Sequence, residues 1–205
     1  MPIVPLILAA GPARGGGGGS AQKGFLKPLA RFGERTALEI AVENCAGLAR
    51  PVVVLGYLAA RVRRVVPRRA VVVVNRRWRT GQLSSLLAGL DRVPATSAFL
   101  LYPVDYPLLT RVDIQRLTNA FRRRRPGQEI VAPVFRRRSG HPVLFSPAVR
   151  GELQKARTAK EVVFREHRRL KLLPVGTAAI WQDFGSPASY RRRQRGFARR
   201  QVRKS

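Results

Sequence analysis

The chain has 205 residues, 45% of them hydrophobic, enough for one domain with a substantial core. Forty Lys and Arg against eleven Asp and Glu give a net charge of +29, and only six of the forty are Lys. A single cysteine, Cys45, excludes an internal disulfide and a Cys-built zinc site and fits a reducing, cytoplasmic setting, and no run approaches the roughly 20 apolar residues of a membrane span.

Residues 2–10 (PIVPLILAA) are a short apolar run bounded by Pro and Gly. That predicts a buried strand of a parallel sheet, whose two faces are both covered. No basic residue precedes the run and Pro5 interrupts it, so it does not read as a targeting segment. Gly11-Pro12-Ala13-Arg14-Gly15, further glycines to Gly19, and then Lys23 and Lys27 follow. Backbone N–H groups of such a turn approach a polyphosphate closely, and the cations offset its charge. A flexible Gly linker is the other reading of this composition. GxxxxGK[ST] is absent, and GxGxxG is met only inside the glycine run.

Thr36-Ala37-Leu38-Glu39 is a capping box, opening a helix with Leu38, Ala41, Cys45 and Leu48 on one face. Residues 51–55 (PVVVL) predict a second strand, 58–66 a short helix, 70–74 (AVVVV) a third strand, 75–81 a loop and 82–90 a helix. Residues 98–104 (AFLLYPV) form a fourth strand that runs into Asp105. Thr110 with Asp113 starts a helix that turns Ile114, Leu117 and Phe121 inward. Residues 129–135 and 142–145 read as strands, Ser146-Pro147 starts a helix to about residue 156, Thr158-x-x-Glu161 caps another, and 170–175 is a late strand. Strands alternating with helices predict an α/β fold with a mainly parallel sheet.

In such folds ligands bind beyond the carboxyl ends of the strands. The Gly-rich loop, residues 75–85 and Asp105 all fall there. A carboxylate between Pro103 and Pro107 suits Mg²⁺, which takes one or two carboxylates plus phosphate oxygens; a turn cap is the alternative. Gly140-His141-Pro142 precedes a strand, and Asp183 follows Trp181. Two histidines cannot build a His-rich metal site, and no Ser-His-Asp set is spaced for nucleophilic catalysis. The positive field attracts polyanions such as nucleotides, nucleic acid or acidic membranes, or it reflects Arg-rich solvated faces. Residues 1–190 read as the domain and 191–205 as a basic tail, with eight basic residues from Arg191 to Lys204 and no acidic one.

Seven short motifs stand in order: Leu8-Ala9-Ala10-Gly11, Lys27-Pro28-Leu29, Val54-Leu55-Gly56-Tyr57, the stretch Asn75-x-x-Trp78-x-x-Gly81-Gln82-Leu83-Ser84-Ser85-Leu86, Pro103-Val104-Asp105-Tyr106-Pro107, Pro133-Val134 and Gly140-His141-Pro142. Together they resemble the MobA-like nucleotidyltransferases, in particular the molybdenum cofactor cytidylyltransferase branch, over nearly the whole chain. The resemblance implies a Rossmann-like three-layer sandwich of the nucleotide-diphospho-sugar transferase type, binding an NTP over the first strand. It implies that Leu8, Ala9, Ala10 and Gly11, with Gly81 and Ser84, hold base and phosphates, and that Arg14 and Lys27 neutralise the triphosphate. Asp105, with Asp183, would hold Mg²⁺, while Gly140 and His141 would line the acceptor side. Ala10 in the first motif is similar to cytidylyl-transferring members, which implies CTP as donor and a phosphorylated acceptor such as molybdopterin. Two departures stand out: Gly185 occupies the place of the family's usual second acid, and the loop from Gly11 to Lys27 is longer, richer in glycine and without the usual Arg-Met-Gly. Other classes consistent with the sequence are a catalytically weakened nucleotide-binding relative and an Arg-rich nucleic-acid binder.

Overall fold

Seven β-branched or otherwise apolar residues in succession, every one buried, make β1 (Ile3–Ala9) the centre of the sheet. A computed structural model describes residues 1–12 and 26–202, and the structural statements here concern those residues. After β1 come the short strands β2 (Arg31–Phe32) and β3 (Arg35–Thr36), paired as a separate antiparallel ribbon, then α1 (Ala37–Asn44), β4 (Val52–Leu55), α2 (Ala59–Arg63) and β5 (Val71–Val74). Helix α3 (Gln82–Leu90), β6 (Ala98–Pro103), α4 (Arg111–Arg122), β7 (Ile130–Phe135), β8 (Arg138–Ser139) and β9 (Val143–Phe145) follow. The chain closes with α5 (Arg150–Lys155), α6 (Ala159–Arg165), β10 (Leu170–Pro174) and α7 (Pro187–Val202).

The main sheet runs β10-β7-β9-β6-β1-β4-β5, with β8 hairpinned onto β7. Every pair on this path is parallel except those of β9, which lies antiparallel between β6 and β7. The expected mainly parallel α/β sheet is therefore present, with β9 and the short β8 reversed. Side chains of β1 alternate: Ile3, Ile7 and Ala9 join the core under α1 and α4, whereas Val4, Leu6, Leu8 and Ala10 join the core under α3, α5 and α6. Two cores on opposite faces make three layers. Burying each of the Val, Leu and Ile side chains among them stabilises the fold by about 1.5–3 kcal/mol.

The helices start where the sequence places caps. Thr36 and Glu39 close a reciprocal capping box on α1, and Thr110 and Asp113 close another on α4. Thr158 accepts from the Glu161 N–H at the start of α6. Strand order reverses at β1, with β4 and β5 on one side and β6 on the other. That reversal opens a crevice at the carboxyl ends of these strands. No helix among the described residues is long and apolar enough to cross a membrane.

Candidate active site

Leu8 to Gly11 end β1 in the middle of this crevice, and two neighbours are pinned to them. The Val104 N–H donates to the Leu8 carbonyl at 3.0 Å, and the Tyr57 N–H to the Ala10 carbonyl at 2.8 Å. Gly56 permits a close approach that no other residue would, since a Cβ there would lie 2.7 Å from both the Ala10 oxygen and Trp78 Cβ. Trp78 thus packs over the strand end, its ring 5.5 Å from that of Tyr57, with the Arg79 guanidinium 4.5 Å above it.

Lys27 opens a 3₁₀ turn (Lys27–Leu29), stiffened by the fixed φ of Pro28. Its Nζ donates to Asp105 Oδ2 at 2.7 Å, both side chains being about five-sixths buried. The Phe184 N–H donates to the Asp105 carbonyl at 3.2 Å, which brings Asp183 and Gly185 to the same place. From α7, Arg193 Nε donates to the Asp183 carbonyl at 3.1 Å. The inner face of that helix docks through Tyr190 and Phe197, whose rings lie 5.4 and 5.8 Å from Phe32. The described part of the basic segment, Arg191 to Arg200, therefore packs against the site as part of α7.

These elements enclose an open cavity of about 570 Å³. Of the residues singled out from sequence, Leu8, Ala9, Ala10, Gly11, Lys27, Gly81, Asp105, His141 and Asp183 line it. Arg14, the run Gly15 to Gly19 and Lys23 lie outside the described residues. Ser84 lines a separate groove beside Arg77, its Oγ donating to the Gly81 carbonyl at 2.8 Å. One residue on, and about 100° further round the helix, Ser85 lines the cavity instead. Asn75 Nδ2 donates to both hydroxyls at 3.0 Å and so fixes the start of α3. Gly140 lies in an adjoining cavity, and its role here is steric: a Cβ would sit 2.1 Å from the Ile180 carbonyl oxygen. The His141 N–H donates to that same oxygen at 2.7 Å. Sequence reasoning did not single out Arg79, Gln82 or Tyr106 as site residues, although all three line the cavity. Trp78, Gln82 and Tyr106 stood inside the quoted motifs, which was the available signal.

Burial pushes the His141 imidazolium down to about 4 against the opposing pull of Asp105, so the ring is neutral at pH 7. Burial first, then the charges of Asp105 and Asp183, push the Tyr106 phenol above its ordinary value, so it stays protonated. Among the described residues no three His, Cys, Asp or Glu side chains cluster as a metal cage. Two carboxylates on one cavity, with space beside them for phosphate oxygens and water, nevertheless match what Mg²⁺ or Mn²⁺ takes from a phosphate-binding site. The residues present fit such an ion.

A family model described as the MobA-like NTP transferase domain matches residues 5–171. Among solved structures the chain is similar to Rv0371c from Mycobacterium tuberculosis H37Rv at 27% identity and a TM-score of 0.74, over 93% of this chain and 96% of that one. A manganese complex of Rv0371c matches at 25% identity and a TM-score of 0.75, over 94% and 97%. A nucleotidyl transferase from Methanothermobacter thermautotrophicus shares the fold at 17% identity and a TM-score of 0.78, over 96% and 98%. No match is found among curated proteins.

Proposed function

The chain is a nucleotidyltransferase of the MobA-like NTP transferase domain family, and on that premise we propose that it moves a nucleoside monophosphate, CMP from CTP, onto a phosphorylated small molecule such as molybdopterin. A phosphate oxygen of the acceptor forms a bond to the α-phosphorus, the bond to the bridging oxygen breaks, and pyrophosphate leaves. The observation that carries this reading is the meeting of Lys27, Asp105 and Asp183 at the end of β1. Asp105 and Asp183 would hold Mg²⁺, which when bound neutralises phosphate charge and orients the triphosphate. Lys27 places a cation against the same phosphates, and Arg14 would add a second. Leu8 to Gly11, Gly81 and Ser85 shape the donor cavity. His141, neutral at pH 7, and Tyr106, protonated, line the acceptor side as hydrogen-bonding groups of no net charge. Direct displacement needs positioning and charge stabilisation and no covalent enzyme intermediate, which suits a cavity whose described residues show no hydrogen-bonded nucleophile–base pair.

CTP is favoured by Ala10 in the first motif, and a divalent ion by the manganese complex of Rv0371c. Gly185, facing the cavity where the family pattern carries an acid, favours one other reading, a relative that binds nucleotide without turnover. Both are tested by pyrophosphate release with Mg²⁺ and each of the four NTPs, with and without molybdopterin. Release that requires CTP and molybdopterin is expected. Release with another NTP keeps the reaction and changes the donor, and nucleotide binding without any release establishes the second reading.

A further inference from the structure

Helix α7 carries six arginines in sixteen residues and no acid. Its period sorts them onto two faces. Arg193 and Arg200 share the inner face with Tyr190 and Phe197 and are spent on backbone: Arg193 Nε on the Asp183 carbonyl, and Arg200 on the Leu108 carbonyl and, at 3.1 Å, on Thr177 Oγ1. Arg191, Arg192, Arg195 and Arg199 lie on the outer face, and all four are exposed. A helix advances about 100° and 1.5 Å per residue, so these four fall within a sector of about 100° and span about 12 Å along the axis.

Nothing within the described residues offsets them. The ion pairs there involve Lys27, Arg31, Arg35, Arg165 and Arg169, and none belongs to α7. Like charges three and four residues apart on a helix repel, and a net charge of +29 deepens the cost. Two hydrogen-bonded arginines and an aromatic contact hold the helix down on its other side, so the outer stripe is rigid and pre-arranged for a partner of opposite charge.

We propose that the outer face of α7 is an interface for the phosphate backbone of double-stranded nucleic acid. A duplex carries one charge per roughly 1.7 Å of axis, so a stripe about 12 Å long faces about seven of them. The planar guanidinium fork suits phosphate oxygens, and neutralising them releases the counterions condensed on the duplex. The composition of the face argues against other polyanions. Single strands are held by stacking on aromatic rings, and both rings of α7, Tyr190 and Phe197, turn inward. A membrane-surface helix inserts large apolar side chains, and the outer face holds only Ala188 and Ala198 beside its arginines. An acidic protein partner would need a desolvated apolar or aromatic centre, which is absent for the same reason. Contact of this kind is sequence-independent, because phosphates carry no base identity. It also lies on the side of α7 turned away from Asp183, so a bound duplex leaves the cavity open.

A fluorescein-labelled duplex of about 20 base pairs, as DNA and as RNA, is titrated with the full chain from about 50 to about 200 mM salt and followed by anisotropy. The decisive comparison is between two variants that each remove four exposed positive charges. One carries Arg191→Gln, Arg192→Gln, Arg195→Gln and Arg199→Gln; the other carries Arg61→Gln, Arg63→Gln, Arg64→Gln and Arg68→Gln around α2. The α7 variant should bind either duplex about a hundredfold more weakly, with a salt slope shallower by about four, one per lost phosphate contact. The α2 variant should stay within about threefold of wild type. Lysine at the same four α7 positions keeps the charge and should restore most of the affinity, which separates charge from any loss of helix. Pyrophosphate release and CTP affinity should be unchanged in all three. Equal losses in the two glutamine variants would show that binding follows net charge and would overturn the interface, as would wild-type affinity in the α7 variant. A single strand of the same length, or vesicles rich in phosphatidylserine, binding α7 as tightly as the duplex would overturn the choice of partner.

Discussion

Lys27 Nζ donates to Asp105 Oδ2 across 2.7 Å, so the cation proposed for the triphosphate and the carboxylate proposed for the metal satisfy each other. On the proposed function, nucleotide phosphates that draw Lys27 away would release Asp105 for the ion, and the two ligands would assist one another's binding. Removing one partner of a largely buried pair leaves the other seeking a counter-charge. Lys27→Met should therefore tighten Mn²⁺ binding to the nucleotide-free protein about tenfold while weakening CTP. Electron paramagnetic resonance of free Mn²⁺ reads the first effect and calorimetry the second. Unchanged Mn²⁺ affinity would show that the pair does not restrain the metal site.

Gly185 offers the converse experiment. No heavy atom lies within 4 Å of the position its Cβ would take, and its φ lies outside the left-handed region. Its N–H donates to Ser189 Oγ at 3.1 Å, a bond any residue keeps. Gly185→Asp should add a third carboxylate to the cavity and raise Mn²⁺ affinity about tenfold, since each added oxygen ligand replaces a bound water. Equal or weaker binding would place the side chain outside the coordination sphere.

His141 links stability to pH. Burial holds its folded pKa at about 4, below the ordinary value of 6.5, so the unfolded chain binds the proton more readily. Above pH 6.5 both states are neutral at this residue and it contributes no pH dependence. As pH falls from about 6.5 toward about 4, the unfolded state alone gains the proton and stability drops. His141→Gln removes that component, so the variant should lose less stability than wild type between pH 7 and pH 4.5 in urea titrations. Parallel losses would mean that His141 is protonated in the folded protein.

The fold was largely legible because its signals are local and redundant. Apolar runs bounded by Pro or Gly became β1, β4, β5 and β6, and paired Thr–Glu and Thr–Asp signals became the starts of α1 and α4. Asp105 was singled out because it ends an apolar strand, and Lys27 because it opens a short motif after the Gly-rich loop. Residues 191–205 were read as a tail because they are rich in Arg and carry no acid, while the aromatic docking surface of α7 comes from Tyr190 and Phe197 alone. Ser84 was chosen where Ser85 lines the cavity, a difference set by the phase of one helix turn. Trp181 was named from sequence only as a neighbour of Asp183, because its unpaired N–H is revealed by three-dimensional packing alone.

The most direct test of the proposed function compares Mg²⁺-dependent pyrophosphate release by the wild type and Asp105→Asn, with CTP and molybdopterin present. The substitution keeps the shape of the side chain and removes the charge that would hold the ion. Asp105→Asn should lower release by about a thousandfold, the scale of a lost metal or electrostatic contact at a reacting phosphate, with the melting temperature little changed. Release within about threefold of wild type, from a variant that folds normally, would contradict a role for Asp105 in holding the metal and with it the proposed mechanism.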